Sequence, residues 1–289
     1  MPGLTFASPT TVNEAVKMLA ASSGLAKPLS GGTDLLVQLK TGRTKPHLIV
    51  DTKRIPGMIG IREVAGGFVI GAATPGIALG EHAALCAAYP GVVEGAQLIG
   101  STQVQGRASM AGNLCNASPA ADSVPALIAA RATCVIVGPK GTREAPVEAI
   151  VIGPGRTSLA RDEIITEFHL PKPAPHSSDA YLRFIPRTEM DIAVVGVAVS
   201  VTLDAKGVCK DARVVLGAVA PTQLLCTNSA AALIGHKLDE ATLAKLDAAA
   251  RAVCKPIDDK RGTIDFRVKV AGVLARRAAA IAFERAGAR

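Results

Sequence analysis

Two stretches of the chain hold the residue types that could do chemistry. The first is Ser30-Gly31-Gly32-Thr33-Asp34, set between the apolar Leu29 and a Leu35-Leu36-Val37 run. Glycines let the main chain approach a ligand closely, and N–H groups at a glycine turn that opens a helix form an anion site. The same residues also make a plain left-handed turn between a strand and a helix. The second stretch, residues 106–127, reads GRASMAGNLCNASPAADSVPAL. It has no aromatic ring, and its charges are Arg107 and Asp122. Such small side chains bury little apolar surface, so the stretch is expected to contribute little to a core. Asp122 is either the cap of a helix through Val124 and Leu127 or a ligand contact.

Other catalytic patterns are missing. The five histidines (47, 82, 169, 176 and 236) are scattered, with no HExxH and no neighbouring cysteine pair, so no metal site is expected. No GxSxG elbow appears. GPGRTSL (153–159) is neither a Walker A loop nor GxGxxG and reads as a loop. The six cysteines have no CxxC among them, and Cys209 and Cys226, 17 apart, are the closest in sequence. A chain this poor in side-chain machinery is expected to hold something reactive rather than to supply it.

The elements that must position these loops follow from pattern. Thr11-Val-Asn-Glu14 is a capping box for a helix whose buried stripe is Ala15, Val16 and Leu19. A strand is predicted to end near Leu29, and HLIVDT (47–52) and GFVIGAAT (67–74) read as strands, the second near-alternating. Residues 76–100 are helical in pattern, broken at Tyr89-Pro90-Gly91. A helix over 121–132 precedes the strand ATCVIVG (132–138). PKPAPHSS (171–178) reads as a linker. Beyond it YLRFIPR, AVVGVAVSVTLD and ARVVLGAVA read as antiparallel strands, with Asp204–Gly207 as a hairpin turn. Two closing helices are predicted at 239–254 and 264–286, the second with Phe266, Val270, Leu274, Ala278 and Ile281 on one face.

Bulk properties narrow the class. The 289 residues are 49% hydrophobic, enough for one large or two ordinary domains. Aromatics are 3% and tryptophan is absent, which removes the stacking platforms that single-stranded nucleic acid needs. Six of the eight excess positive charges lie in 251–289, either as a solvated helix face or as a docking surface for an acidic partner. The amino terminus lacks the basic and apolar regions of a secretory signal, and the longest apolar stretch, Ile192–Leu203, is too short to span a membrane. A cytoplasmic protein with reduced thiols, with no nucleic-acid partner, is expected.

SGGTDLL (30–36) and SMAGNLCNASPAADSVPAL (109–127) together resemble the FAD-carrying medium subunit of the molybdenum hydroxylases, of the carbon monoxide dehydrogenase and xanthine dehydrogenase type. GPGRTSL, the DEII…LPKP stretch, YLRFIPRTEMDIA and DDKRGTIDFRVKVAGVLARRA extend the resemblance over nearly the whole chain. It implies an α+β fold: a two-lobed FAD-binding domain of the PCMH type over 1–175 (lobes about 1–55 and 56–175), then a C-terminal α+β domain over 176–289. It also implies the cofactor contacts. Lys27, Pro28, Leu29, Ser30, Gly31, Gly32, Thr33, Asp34 and Leu35 would line the pyrophosphate and ribityl chain with Ser109, Met110, Ala111, Gly112 and Asn113. Ser118 belongs to the same motif. Asp122 would bond the flavin side, Ile99 would sit near the adenine, Ile165 against the ring system, and Arg183 where the family often has lysine.

Three positions depart from the family pattern. Ala111 replaces the first glycine of a Gly-Gly pair, Met110 a β-branched residue, and Gly106 an asparagine. If position 111 requires a positive φ, alanine there costs on the order of 1 kcal/mol. No cysteine-rich insertion for an extra cluster is present, so Cys115 and the others read as buried thiols. The implied function is FAD-carrying electron transfer within a complex. A large molybdenum-cofactor subunit oxidises the substrate, a small [2Fe-2S] subunit relays electrons, and the whole forms a dimer of heterotrimers. The alternatives are an autonomous FAD-dependent oxidoreductase and a flavin-free scaffold subunit.

Overall fold

The capping box forms as its spacing predicts. In the computed structural model, which describes residues 3–289, Glu14 N donates to Thr11 Oγ1 and Thr11 N donates to Glu14 Oε2, both at 3.2 Å. The first lobe comprises β1 (Thr5–Ala7), α1 (Val12–Ala21), β2 (Ala26–Leu29), α2 (Leu35–Lys40) and β3 (Leu48–Asp51). Its parallel sheet has the order β1-β3-β2. Strand β2 stops at Leu29, and Gly32 takes a left-handed φ of +81° in the turn that leads to α2.

The second lobe contains β4 (Ile61–Val64), β5 (Gly67–Gly71), α3 (Gly76–Glu81), α4 (Ala83–Ala88) and α5 (Pro90–Gln97). Next come α6 (Thr102–Gln105), α7 (Met110–Cys115), α8 (Ser123–Ala129), β6 (Thr133–Gly138) and β7 (Gly141–Pro146). It closes with β8 (Val151–Gly153), β9 (Arg156–Thr157) and β10 (Ile164–Pro171). Five strands form an antiparallel sheet in the order β4-β5-β10-β6-β7. Strand β5 is buried at every residue rather than alternately, because it lies inside the sheet and neither face meets water. The helical pattern breaks at Tyr89 as predicted: α4 ends at Ala88 and Pro90 starts α5, where its missing N–H would be unpaired in any case. GPGRTSL is not a plain loop: it carries the β8–β9 hairpin.

The remaining residues form β11 (Ser177–Phe184), β12 (Val195–Leu203), β13 (Cys209–Gly217), β14 (Leu224–Leu225), α9 (Thr227–Leu233), α10 (Glu240–Ala252) and α11 (Ile264–Gly287). The four strands pair antiparallel in sequence order. The Asp204–Gly207 turn is as predicted, with Gly207 N donating to Asp204 O at 3.0 Å. Helix α11 is rotated from the predicted stripe. Leu274 and Ala278 are buried, yet Phe266 is 40% exposed and Val270 and Ile281 are half-buried. The buried row is Arg267, Ala271, Leu274, Ala275, Ala278, Ala282 and Ala286, because alanines let the helix backbone approach β11 and β12 closely. Arg267 can lie in that row because its guanidinium donates to Asp259 Oδ1 at 2.7 Å and to Val194 O at 2.6 Å.

Several other cations of 251–289 are also paired within this chain. Arg251 pairs with Asp247, Arg261 with Asp191 and Asp259, Arg276 with Glu240 and Arg285 with Glu94. Arg289 donates to the carbonyls of Ala87, Ala88 and Ser177. Part of this charge therefore serves contacts within the chain, and Arg261, Arg285 and Arg289 reach elements before the closing helices. Two large cores result. Ala15, Val16, Leu19 and Val50 of the first lobe join the core of the second, while another core fills the space between β12, β13 and α9–α11. No helix among the described residues is long and apolar enough to cross a membrane.

Candidate cofactor site

The two small-residue loops, almost eighty residues apart in sequence, meet at the junction of the lobes. Ser30 Oγ and Ser109 Oγ lie 2.6 Å apart, and Ser109 Oγ also accepts from Gly112 N at 3.2 Å, capping α7. Gly31 packs against the main chain of the facing loop: a Cβ there would stand 1.8 Å from Arg107 O. Lys53 Nζ holds the near side by donating to Ser30 O at 2.9 Å and to Asp51 Oδ1 at 2.6 Å. Gln38 Nε2 donates to Asn116 Oδ1 at 3.0 Å, joining α2 to the second loop. The main-chain N–H groups of Ser30, Gly31, Gly32, Thr33 and Asp34 meet no acceptor among the described residues. Five adjacent main-chain donors, four of them on half-buried residues, are therefore available to an anionic ligand.

The second loop corrects the expectation about Ala111. Residue 111 lies within α7 at a negative φ, and its side chain is buried, so alanine there is a good helix former and carries no left-handed strain. Met110 is buried beside it, and Gly106 closes α6 at φ −63°. Asn113 Oδ1 accepts from Ser123 N at 3.2 Å and Ser123 Oγ at 2.8 Å, which ties α7 to α8. Ser118 Oγ accepts from Ala120 N at 3.2 Å. The turn around it is clasped from the C-terminal side. Gln223 Nε2 donates to Ser118 O at 2.9 Å, and Ala218 N donates to Pro119 O at 2.8 Å. Cys115, expected to be buried, is exposed.

Asp122 is not a helix cap. Its backbone is already helical, and no side-chain capping bond is made. Instead Oδ1 accepts from Tyr181 OH at 2.9 Å and Oδ2 from Arg183 at 2.7 Å, both on β11. The side chains of Asp122 and Arg183 are 9% and 5% exposed. Burial raises the Asp122 pKa to about 6, against the opposing pull of Arg183 and the Tyr181 hydrogen bond. Arg183 spends one of its five N–H donors here, and the others meet no acceptor among the described residues. Tyr181 was missed by sequence reasoning. Its signal is the period of a strand, which sends residues 181 and 183 to one face.

The other candidate residues are not gathered at the loops in the same way. Leu29 is buried with Leu39 and Ile49, and Leu35 packs against them, so these leucines offer the site only their main chain. Lys27 is half-buried, Pro28 exposed, Thr33 half-buried and Asp34 exposed. Ile99 is half-buried just beyond α5. Ile165 faces Ile136 across β10 and β6, at 5% exposure in the core. Two cavities, of about 240 and 500 Å³, lie elsewhere: one between Tyr89, Arg131 and Asp179, the other between Ile152, Leu225 and Val253.

A second buried carboxylate gives these lobes a pH dependence. Asp179 caps α5 from outside by accepting from Gly91 N at 2.9 Å, supplying the bond that Tyr89 at the helix start does not make. Burial raises its pKa to about 7, with Glu94 adding to the rise and Arg285 opposing it. Both Asp122 and Asp179 titrate near 3.9 when unfolded. Between about pH 4 and 7 the native state therefore holds more protons than the unfolded chain, and stability falls as pH rises. The urea midpoint is expected to be higher at pH 5 than at pH 7.5. Asp179→Asn, which keeps the capping oxygen, should flatten that slope. An unchanged slope would contradict the assignment.

Comparison with known proteins agrees with this layout. Residues 3–173 match the family model of the FAD binding domain in molybdopterin dehydrogenase, and residues 180–282 match that of the CO dehydrogenase flavoprotein C-terminal domain. The chain is 32% identical over 284 residues to the carbon monoxide dehydrogenase medium chain of Hydrogenophaga pseudoflava, covering 98% of each. It is 30% identical over 279 residues to the xanthine dehydrogenase FAD-binding subunit of Escherichia coli O157:H7, covering 96% of this chain and 95% of that one. Among solved structures, a chain of carbon monoxide dehydrogenase from H. pseudoflava superposes with a TM-score of 0.93 at 33% identity, with 98% of each chain covered. The α+β architecture, the two interlocked loops and these matches over almost the full length make this chain a member of the FAD-binding medium-subunit family of molybdenum-containing dehydrogenases, an oxidoreductase subunit.

Proposed function

We propose that this chain carries FAD as the electron-transfer subunit of a molybdenum hydroxylase complex. Its partners are a large molybdenum-cofactor subunit and a small [2Fe-2S] subunit, arranged as a dimer of heterotrimers in the cytoplasm. Bound FAD supplies two-electron chemistry, receiving electrons from the [2Fe-2S] subunit and passing them to an external acceptor. The observation that carries this reading is the cradle of five unspent N–H donors at Ser30–Asp34, closed by Gly31 on the Arg107 carbonyl. A pyrophosphate fits it, because its charge is met by main-chain dipoles, and the lack of a side chain at residue 31 lets the Arg107 loop close against the cradle.

In this reading residues 1–175 form the FAD-binding unit and 176–289 the unit that closes on it. Lys27–Leu35 and Ser109–Asn113 line the pyrophosphate and ribityl chain, with Ser118 fixing the adjoining turn. Asp122 and Arg183 stand on the flavin side, Ile99 near the adenine and Ile165 behind the ring system. The chain's own part is to bind, orient and exclude; proton and hydride chemistry on the organic substrate belongs to a partner.

Purification of the tagged chain from its native cells tests the proposal. Two further chains should co-purify, one with molybdenum and one with iron and sulfide. The chain alone should be yellow and inert toward the substrate of the complex. No His or Cys is placed in the cradle for a flavin bond, so acid precipitation should release all the FAD. A colourless chain, or one active by itself, would overturn the reading.

A further inference from the structure

Strand β11 brings two donors to a single carboxylate of the neighbouring lobe. Tyr181 OH serves Asp122 Oδ1 at 2.9 Å and Arg183 serves Oδ2 at 2.7 Å, so the carboxylate cannot rotate without losing one of them. The phenol is 2% exposed and lies over Gly196, where a Cβ would stand 2.5 Å from its oxygen. Gly196 on β12 thus leaves the room in which the hydroxyl reaches Asp122. Burial, with the charge of Asp122, pushes the phenol pKa far up, so the hydroxyl remains a donor. At the other end, Arg183 is fixed by one bond while its remaining N–H groups meet no acceptor among the described residues. A guanidinium held at 5% side-chain exposure with donors to spare is preorganised for an acceptor from outside the chain.

We propose that Tyr181 is a positioning residue of the cofactor site: its hydroxyl locks Asp122, and Asp122 holds Arg183 with its unused donors available to a carbonyl oxygen or ring nitrogen of the flavin. The inference rests on the reading of this chain as an FAD carrier. Tyr181 acts through Asp122 and Arg183, so its removal reaches the flavin only while Arg183 is present.

The test uses the full chain, stripped of FAD and titrated with FAD, followed by measurement of the flavin midpoint potential. Tyr181→Phe keeps the ring and removes the hydroxyl; Gly196→Ala keeps the hydroxyl and displaces it. Both are expected to fold, to weaken FAD binding by roughly three- to tenfold, and to move the midpoint potential in one common direction. In an Arg183→Met background, Tyr181→Phe should add nothing, the mark of two residues acting in one chain of contacts. Unchanged affinity and potential in Tyr181→Phe, or a full additional loss on top of Arg183→Met, would overturn the proposal and leave Tyr181 a core residue. Failure of the wild-type chain to take up FAD is a separate outcome: it overturns the cofactor reading and this inference with it.

Discussion

Gly31→Ala is expected to strip the chain of FAD while leaving it folded. The added Cβ would lie 1.8 Å from Arg107 O, 2.6 Å from Arg107 C and 3.1 Å from Ala108 Cα. All three are main-chain atoms, so no side-chain rotation relieves the clash and the loops must separate. Separation also parts Ser30 from Ser109. The unspent donors of residues 30–34 would then no longer share a cleft with α7. A loss of about a hundredfold in FAD affinity, close to 3 kcal/mol, is expected. Gly31 belongs to neither large core, so the urea midpoint should move little. Flavin absorbance per chain and titration of the stripped protein read the result. Full FAD occupancy in Gly31→Ala would show that the cofactor does not depend on contact between the loops.

Asp122→Asn is expected to have the largest effect on stability. Asparagine caps a helix as well as aspartate, so if Asp122 were a cap this substitution would cost little. The structure changes the expectation. Asparagine would leave the Arg183 guanidinium, 5% exposed, without its counter-charge. Breaking one side of such a buried pair costs about 3–5 kcal/mol. The loss should show as a lower urea midpoint at pH 7.5. Arg183→Met in the same chain should restore most of the stability without restoring FAD. An Asp122→Asn variant as stable as wild type at pH 7.5 would show that the pair does not anchor β11 to α8.

Short-range chemistry was legible in the sequence. Thr11 and Glu14 sit three residues apart, which suffices for a capping box, and the structure contains one. Gly32 follows a strand and precedes a helix, and it turns there with positive φ. The Asp204–Gly207 turn and the long strands on either side of it depend on adjacent residues and on period, and both were readable. The two small-residue loops could be singled out by their glycines and small side chains, but the expectation that the second adds little to a core was wrong: Met110, Ala111, Leu114, Ala117, Ala121, Val124 and Leu127 are buried in the large core.

Partnership over long separations was decided by tertiary structure. Ala111 reads as a strained substitution until the chain around it is seen to be helical, since a residue type carries a cost only in a stated φ. Asp122 has small neutral neighbours in sequence, yet its partners arrive 59 and 61 residues later on one face of β11. The charge of the closing helix looked like surface until Arg267, Arg285 and Arg289 found carbonyls and carboxylates within the chain. Helix α11 turned its alanines inward because close approach to a sheet rewards small residues over the larger apolar ones that mark a stripe in sequence. Local conformation is set by neighbours in the chain, where sequence spacing is physical distance. Buried charge, helix rotation and the meeting of two loops are set by neighbours in space, and only the folded chain supplies those.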